Sequence, residues 1–309
     1  MKKVFIDGAA GTTGLRLNER LAERDDIELI KLPEPLRKDI SARSEALNEC
    51  DIAFLCLPDA AAVEAVSLVK NPNTAIIDTS TAHRCDDNWV YGFPEIGGRR
   101  ERIAASKRIA NPGCHASGFI ALVAPLTELG VLKKDALISC VSLTGYSGGG
   151  KKMIEQYEST ERDGLLDAPR EYGLGQSHKH LPEMARVCAL ENAPAFMPVV
   201  APYYAGMLVT VPLFASQFAN PVTAQDLLNV YSGYYTSGVI KVCENEDENG
   251  FLSASALAGR DDMQITVFGN GERLIAAARF DNLGKGASGA AVQNMNILLG
   301  TDEKKGLVL

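Results

Sequence analysis

The chain has 309 residues, 46% of them hydrophobic and 23% charged, with a formal net charge of −8. That length accommodates two domains or one large α/β domain, and the composition is that of an ordinary soluble enzyme. The acidic balance argues against nucleic acid and anionic membranes, which reward basic surface. No apolar run approaches the roughly 18–20 residues that a membrane helix needs.

The pattern enters a strand at residues 3–6, straight after Met1-Lys2-Lys3, a start too short to be a signal peptide. A helix is predicted over 14–22, strands over 27–32 and 52–57, a helix over 60–69 and a short strand over 75–77. This rhythm implies parallel βαβ units with right-handed crossovers. Between the first strand and its helix lies Gly8-Ala9-Ala10-Gly11-Thr12-Thr13-Gly14. Glycines at that spacing let a backbone turn tightly against a pyrophosphate, and the following helix offers N–H groups and a positive dipole end. Gly8, Gly11, Thr12, Thr13 and Gly14 are therefore candidate dinucleotide ligands, against the plainer reading of an unliganded turn. Glu34, about twenty residues past the loop, suits a ribose hydroxyl, whereas Arg37 and Lys38 suit a 2′-phosphate. These residues do not decide between NAD and NADP.

Asp78-Thr79-Ser80-Thr81-Ala82-His83-Arg84 follows the strand at 75–77, on the side where open α/β sheets bind ligands. Ser80 and Arg84 there suit a phosphate or carboxylate, although a capped turn explains the segment too. The seven cysteines, Cys50, Cys56, Cys85, Cys114, Cys140, Cys188 and Cys243, are scattered and form no C-x-x-C pair. Neither a disulfide framework nor a zinc site fits them, and a reducing cytosol is expected. Six read as small buried hydrophobes. Cys114 differs, because Asn111-Pro112-Gly113 precedes it and an apolar helix over 116–129 follows. A thiol at a helix start is favoured as thiolate, and the same N–H groups suit an oxyanion. His115 is a weaker base candidate.

Beyond that helix, strands are predicted over 136–143, 206–214, 239–242, 264–268 and 274–278, and a last helix over 287–299. Their irregular spacing implies an α+β domain with a mixed sheet, beginning near residue 115. Tyr146-Ser147-Gly148-Gly149-Gly150 is a second loop able to approach a cofactor. His178-Lys179-His180-Leu181-Pro182-Glu183 carries half of the four histidines. Read as extended chain, it turns His178 and His180 to one side, and imidazole is the group for proton transfer near neutral pH. Metal binding by the pair with Glu183 has no further ligand cluster to support it, so no metal is expected. Plain polar surface is the other reading.

Taken in order, residues 8–14, 78–84, Asn111-Pro112-Gly113-Cys114, Ser147-Gly148-Gly149-Gly150-Lys151, residues 178–183 and Asp281-Asn282-Leu283-Gly284-Lys285-Gly286-Ala287 resemble the short form of N-acetyl-γ-glutamyl-phosphate reductase. The likeness to aspartate-semialdehyde dehydrogenase is more distant. The resemblance implies a Rossmann-type NADP-binding domain (1–115 and 286–309) and an α+β catalytic and oligomerisation domain (116–285). It implies NADP(H) as cofactor, Cys114 as nucleophile, and His178 as proton donor and acceptor, with His180 and Glu183 orienting substrate. Arg84 and Ser80 would handle phosphate, while Ser147, Gly148, Asn282, Lys285 and Gly286 would lie by the cofactor. The implied reaction reduces N-acetyl-γ-glutamyl phosphate to the semialdehyde in arginine biosynthesis, in a homo-oligomer of two or four chains. Ala82-His83 stands where long-form members carry an acidic–aromatic pair, which leaves the role of His83 open. A reductase for the aspartyl or aminoadipyl analogue is the enzymatic rival, and an NADP sensor without chemistry the non-enzymatic one.

Overall fold

A computed structural model describes residues 1–309, which form two compact units. The first contains Met1–Pro94, Gly98–Pro112 and Ala287–Leu307, and the second Glu95–Gly97, Gly113–Gly286 and Val308–Leu309. Cys114 and His115, expected at the end of the first domain, fall in the second. The reason is the helix they begin, which packs along its length on the second unit's elements. No helix is long and apolar enough to cross a membrane.

In chain order the first unit has β1 (Lys2–Asp7), α1 (Thr12–Ala22), β2 (Ile27–Ile30), α2 (Ile40–Glu49), β3 (Ile52–Leu55), α3 (Asp59–Leu68), β4 (Ala75–Asp78), β5 (Val90–Tyr91), α4 (Arg99–Ala105) and β6 (Arg108–Ala110). Its strands are all parallel, in the order β2-β1-β3-β4-β6-β5. Strand periodicity divides its core in two. Val4, Ile6, Phe54, Ile77 and Ile109 face α1 and the C-terminal helix, while Phe5, Ala53, Leu55, Ile76 and Ala110 face α2 and α3. Because the chain runs from β1 outward to β2 and then back across to β3, the topological switch lies between β1 and β3. Ligands of such sheets bind at the carboxyl ends of those strands.

The second unit opens with α5 (Cys114–Glu128), then β7 (Ser139–Gly145), α6 (Gly150–Glu158), β8 (Arg170–Glu171), α7 (Leu181–Val187), β9 (Ala195–Ala201), β10 (Met207–Phe214), α8 (Ala224–Tyr234), β11 (Ile240–Val242), β12 (Met263–Gly269) and β13 (Arg273–Phe280). The mixed sheet runs β11-β12-β13-β10-β7-β9-β8. Its two parallel pairings are β7 with β9 and β11 with β12. A π-helical turn at Gly284–Ser288 leads into α9 (Gly289–Leu299), which belongs to the first unit. Helix α5 is buried on every side from His115 to Thr127, as suits a central helix. Pro125 cannot donate to the Ala121 carbonyl. Tyr235 Oη donates to that carbonyl instead (2.7 Å), and Tyr231 Oη donates to the neighbouring Leu122 carbonyl (2.6 Å).

Candidate active site

In the first unit the glycine turn joins β1 to α1. Gly8 has φ +87°, and a Cβ there would stand 2.2 Å from the Cys56 carbonyl oxygen at the end of β3. A Cβ on Gly14 would stand 2.4 Å from the Gly8 carbonyl oxygen. Both positions thus demand glycine for packing alone. At Gly11 the nearest atom to such a Cβ is 3.6 Å away, so the protein does not itself require a glycine there. That is the position at which a dinucleotide fold lets the backbone approach pyrophosphate. Gly11 also begins α1 with no side-chain cap, and the first turn holds no acidic residue, leaving Thr12, Thr13 and Gly14 at the positive end of the helix.

Beside this turn lies a cavity of about 860 Å³, whose lining includes Gly8, Ala10, Glu34, Arg37, Lys38 and Arg43. Asp7, at the end of β1, is buried against Arg43, whose Nη2 lies 3.0 Å from Asp7 Oδ2. Burial pushes the Asp7 carboxyl above its usual range against the pull of Arg43. Arg43 also bonds Glu64 (3.1 Å), which leaves Arg37 and Lys38 as the cavity's cations beyond that pair and Lys31. The turn and cavity fit a dinucleotide.

Ser80 and Arg84 do not form the open phosphate clamp expected of them. Ser80 Oγ donates to Asp78 Oδ2 (2.7 Å), the oxygen that also meets His83 Nδ1 at 2.6 Å. Arg84 donates from Nε to the Asn111 carbonyl and from Nη2 to the Thr79 carbonyl (3.0 and 2.9 Å). Both side chains therefore hold the turn after β4. His83, whose role the sequence left open, is the Asp78 partner, and its ring stacks on Trp89 with centroids 4.1 Å apart.

In the second unit Cys114 is the first residue of α5 and partly exposed. Gly113 precedes it in extended conformation and supplies no side-chain cap. Cys50, Cys140 and Cys188 are buried as expected, but Cys56, Cys85 and Cys243 are partly exposed like Cys114, so its place at the start of α5 and not its exposure sets it apart. Burial pushes Cys50 and Cys56 up to about 12 and holds Cys140 higher still. Glu183, almost fully buried on α7, accepts the Gly113 N–H (3.3 Å) and lies 3.8 Å from His180 Nε2. It thus braces the cysteine loop and His180, and the substrate contact expected of it is not what its carboxylate makes here.

The histidine pair is close, with ring centroids 4.8 Å apart, but not for the reason given by the sequence. Residues 179–180 form a turn and His180 is helical (φ −84°, ψ −14°), so the segment is not extended. The turn is closed by His180 N–H donating to His178 Nδ1 (3.3 Å) and Leu181 N–H to the His178 carbonyl (3.0 Å). An accepting Nδ1 puts the proton of the neutral ring on Nε2. Burial, then the charge of Lys179, holds His178 below its usual value and so favours that neutral form. His180 is buried, while His178 is half-exposed.

Two further rings belong to the cluster. His115 Nε2 lies 2.7 Å from Tyr172 Oη, and His115 Nδ1 lies 2.6 Å from Ser142 Oγ on β7. Tyr172 had no motif around it, and its place is visible only once β8 is folded beside β9.

The 281–287 segment sits against the thiol through one residue: a Cβ on Gly286 would be 3.0 Å from Cys114 Cβ. Its other predicted cofactor ligands are committed elsewhere. Lys285 Nζ bonds Glu95 Oε1 (2.7 Å) with both side chains 1% exposed, so this ammonium is not offered to a nicotinamide. Asn282 donates to Ser147 Oγ and accepts from Gly206 N–H (both 2.9 Å). A Cβ on Gly148 would lie 3.3 Å from Thr144 Oγ1 and 3.5 Å from Asn282 Nδ2.

Two family models match this chain, the semialdehyde dehydrogenase NAD binding domain over residues 3–106 and the semialdehyde dehydrogenase dimerisation domain over 114–282. The class is that of the semialdehyde dehydrogenases. An N-acetyl-gamma-glutamyl-phosphate reductase 2 of Nostoc sp. is 45% identical over 99% of both chains. The N-acetyl-gamma-glutamyl-phosphate reductase of Brucella ovis is 46% identical over 96% of this chain and 99% of its own. The chain belongs to the N-acetyl-gamma-glutamyl-phosphate reductases of that family. Its fold is also that of aspartate semialdehyde dehydrogenase II of Vibrio cholerae in complex with ASA (TM-score 0.72, 16% identity, 97% and 98% covered). The Candida albicans aspartate semialdehyde dehydrogenase with NADP shares it too (TM-score 0.68, 15% identity, 97% and 99% covered).

Proposed function

We propose that this enzyme reduces N-acetyl-γ-glutamyl phosphate to N-acetylglutamate 5-semialdehyde and phosphate with NADPH, through a thioester on Cys114, in arginine biosynthesis. The observation that carries the reading is Cys114 at the uncapped start of α5, partly exposed, in the unit that also holds the paired imidazoles. The Cys114 sulfur attacks the acyl carbon, the C–S bond forms and the phosphate C–O bond breaks. Helix N–H groups at the start of α5 hold the oxyanion that precedes release. One difficult displacement thereby becomes two easier steps.

NADPH, when bound, supplies the hydride, and Gly8, Gly11, Thr12, Thr13 and Gly14 would hold its diphosphate, with Arg37 and Lys38 for the 2′-phosphate. His178 presents Nε2–H to the oxygen that gains charge as the carbonyl is reduced. This tautomer gives that oxygen a hydrogen bond and not a proton, because Nδ1 already accepts the His180 N–H and a neutral ring that lost Nε2–H would be left as imidazolate. Collapse of the oxyanion then breaks the C–S bond, frees the aldehyde and returns the Cys114 thiolate. His180, buried with Glu183, orients that ring. Ser80 and Arg84 shape the turn after β4, and Ser147 and Asn282 brace the loops carrying Gly148 and Gly286.

We propose further that it acts in the cytoplasm as a homo-oligomer of two or four chains. The dimerisation-domain match and the exposed Phe214 and Ile275 on neighbouring strands of the mixed sheet support assembly. The test of the function is phosphate-dependent NADPH formation from N-acetylglutamate 5-semialdehyde, run in reverse. Expected is turnover with this aldehyde and little with aspartate semialdehyde. A preference for the unacetylated aldehyde would assign the chain to the analogous reaction instead.

A further inference from the structure

Beyond the roles assigned above, we infer that His115 and Tyr172 form one hydrogen-bonded strut that positions His178. The inference rests on the reading of Cys114 and His178 just given, and concerns residues that neither performs the displacement nor meets the cofactor in that reading.

The geometry starts from helix α5. His115 follows the nucleophile directly, and its ring points into the second unit, where it is 2% exposed. Both of its nitrogens are taken by hydroxyl oxygens, Ser142 Oγ at Nδ1 and Tyr172 Oη at Nε2. A hydroxyl both donates and accepts, so this arrangement satisfies either tautomer of a neutral imidazole. Neutrality is enforced. Burial, then the charges of His178 and Lys179, pushes His115 down to about 3. An imidazole so fixed is unsuited to move protons near neutral pH, which removes it as a base.

What it holds is the phenol of Tyr172. Four rings pack edge-on against the half-exposed His178: His180 at 4.8 Å between centroids, Phe196 at 5.1 Å, Tyr172 at 5.8 Å and His115 at 5.9 Å. Phe196 also packs on His115 at 5.4 Å, which ties two of these walls together. The remaining constraint on His178 is the His180 N–H at its Nδ1. Ring walls and that one hydrogen bond together fix the direction of Nε2–H. Burial, then the charge of Cys114, holds the Tyr172 hydroxyl above its usual range.

A strut behaves as a unit, and that is testable by a double-mutant cycle. Tyr172→Phe removes one oxygen and keeps the ring; His115→Phe removes both hydrogen bonds and keeps an aromatic wall. Each is expected to lower kcat about 10-fold, the scale of a modest loss of alignment, with KM for the semialdehyde within about 2-fold. The double variant should be no more than about 2-fold worse than the worse single one. The solvent deuterium isotope effect on kcat should rise in both single variants, which a mere loss of folded enzyme would not cause. Losses that multiply in the double variant overturn the proposal, as does kcat within about 2-fold of the parent in folded Tyr172→Phe. Should His115→Phe not fold, Tyr172→Phe with its isotope effect still decides. Cys114→Ser separates the two readings: activity retained there removes the thioester itself, whatever the strut variants do.

Discussion

Gly286→Ala adds one carbon at the closest approach between the 284–288 turn and the nucleophile. The new Cβ would lie 3.0 Å from Cys114 Cβ, 3.1 Å from the Asp281 carbonyl oxygen and 3.3 Å from Phe280 Cε2. Carbon atoms rest at about 3.5–4.0 Å, so something must retreat by about half an ångström. The turn is poorly placed to do so. Gly286 N–H donates to the Asp281 carbonyl (2.9 Å), and Asp281 Oδ1 accepts the N–H groups of Leu283 and Gly284 (2.6 and 2.9 Å). Phe280 is fully buried. The strain therefore falls on the start of α5 and moves the Cys114 side chain. Overpacking of this kind costs about 1–3 kcal/mol of stability, and a misplaced reacting atom costs up to about 100-fold in rate. We expect Gly286→Ala to fold with a Tm lowered by a few degrees, to bind NADPH normally, and to lose about 10- to 100-fold in kcat. Steady-state kinetics, thermal unfolding and NADPH fluorescence titration measure the three. Unchanged kcat and Tm would refute the packing argument, because the sulfur would then not be seated against this turn.

Tyr235→Phe leaves the Ala121 carbonyl without the hydroxyl that replaces the N–H missing at Pro125, at a cost of about 1–3 kcal/mol; Tm should fall with kcat at 25 °C preserved, and an unchanged Tm would contradict the capping role. His115 contributes a pH dependence of known sign. Its folded value is depressed, so the unfolded chain binds a proton that the folded chain refuses; stability is full above about 6.5 and declines as pH falls toward 3, by up to about 1.4 kcal/mol per unit. Urea unfolding at pH 5 and pH 7 should therefore show a difference that shrinks in His115→Phe, and equal differences in both proteins would argue against the enforced neutrality.

The first unit was legible because its signals are local. The apolar runs at 52–57 and 75–77 and the glycine loop between β1 and α1 are patterns within a few residues of themselves. Weaker elements escaped: α2 buries only Arg43, Ala46 and Leu47, and Pro198 conceals β9 from any strand pattern. Cys114 was legible from Pro112 and Gly113 ahead of an apolar run. The histidine pair was legible as a pair and misread as geometry, because a turn and a strand bring alternate residues together equally well. The Lys285–Glu95 ion pair joins residues 190 positions apart, and Tyr172 reaches His115 across 57. Such partners carry no mark in the chain; only the folded sheet selects them. The same holds for Arg84, whose carbonyl partners were hidden behind a motif that suits phosphate as well.

The central claim is a covalent acyl group on one sulfur, and mass spectrometry tests it most directly. The enzyme incubated with N-acetyl-γ-glutamyl phosphate in the absence of NADPH should gain the mass of one N-acetylglutamyl group, mapped to the peptide containing Cys114 and absent from Cys114→Ala. A turnover-competent enzyme with no adduct, or with the adduct on another cysteine, would contradict the account.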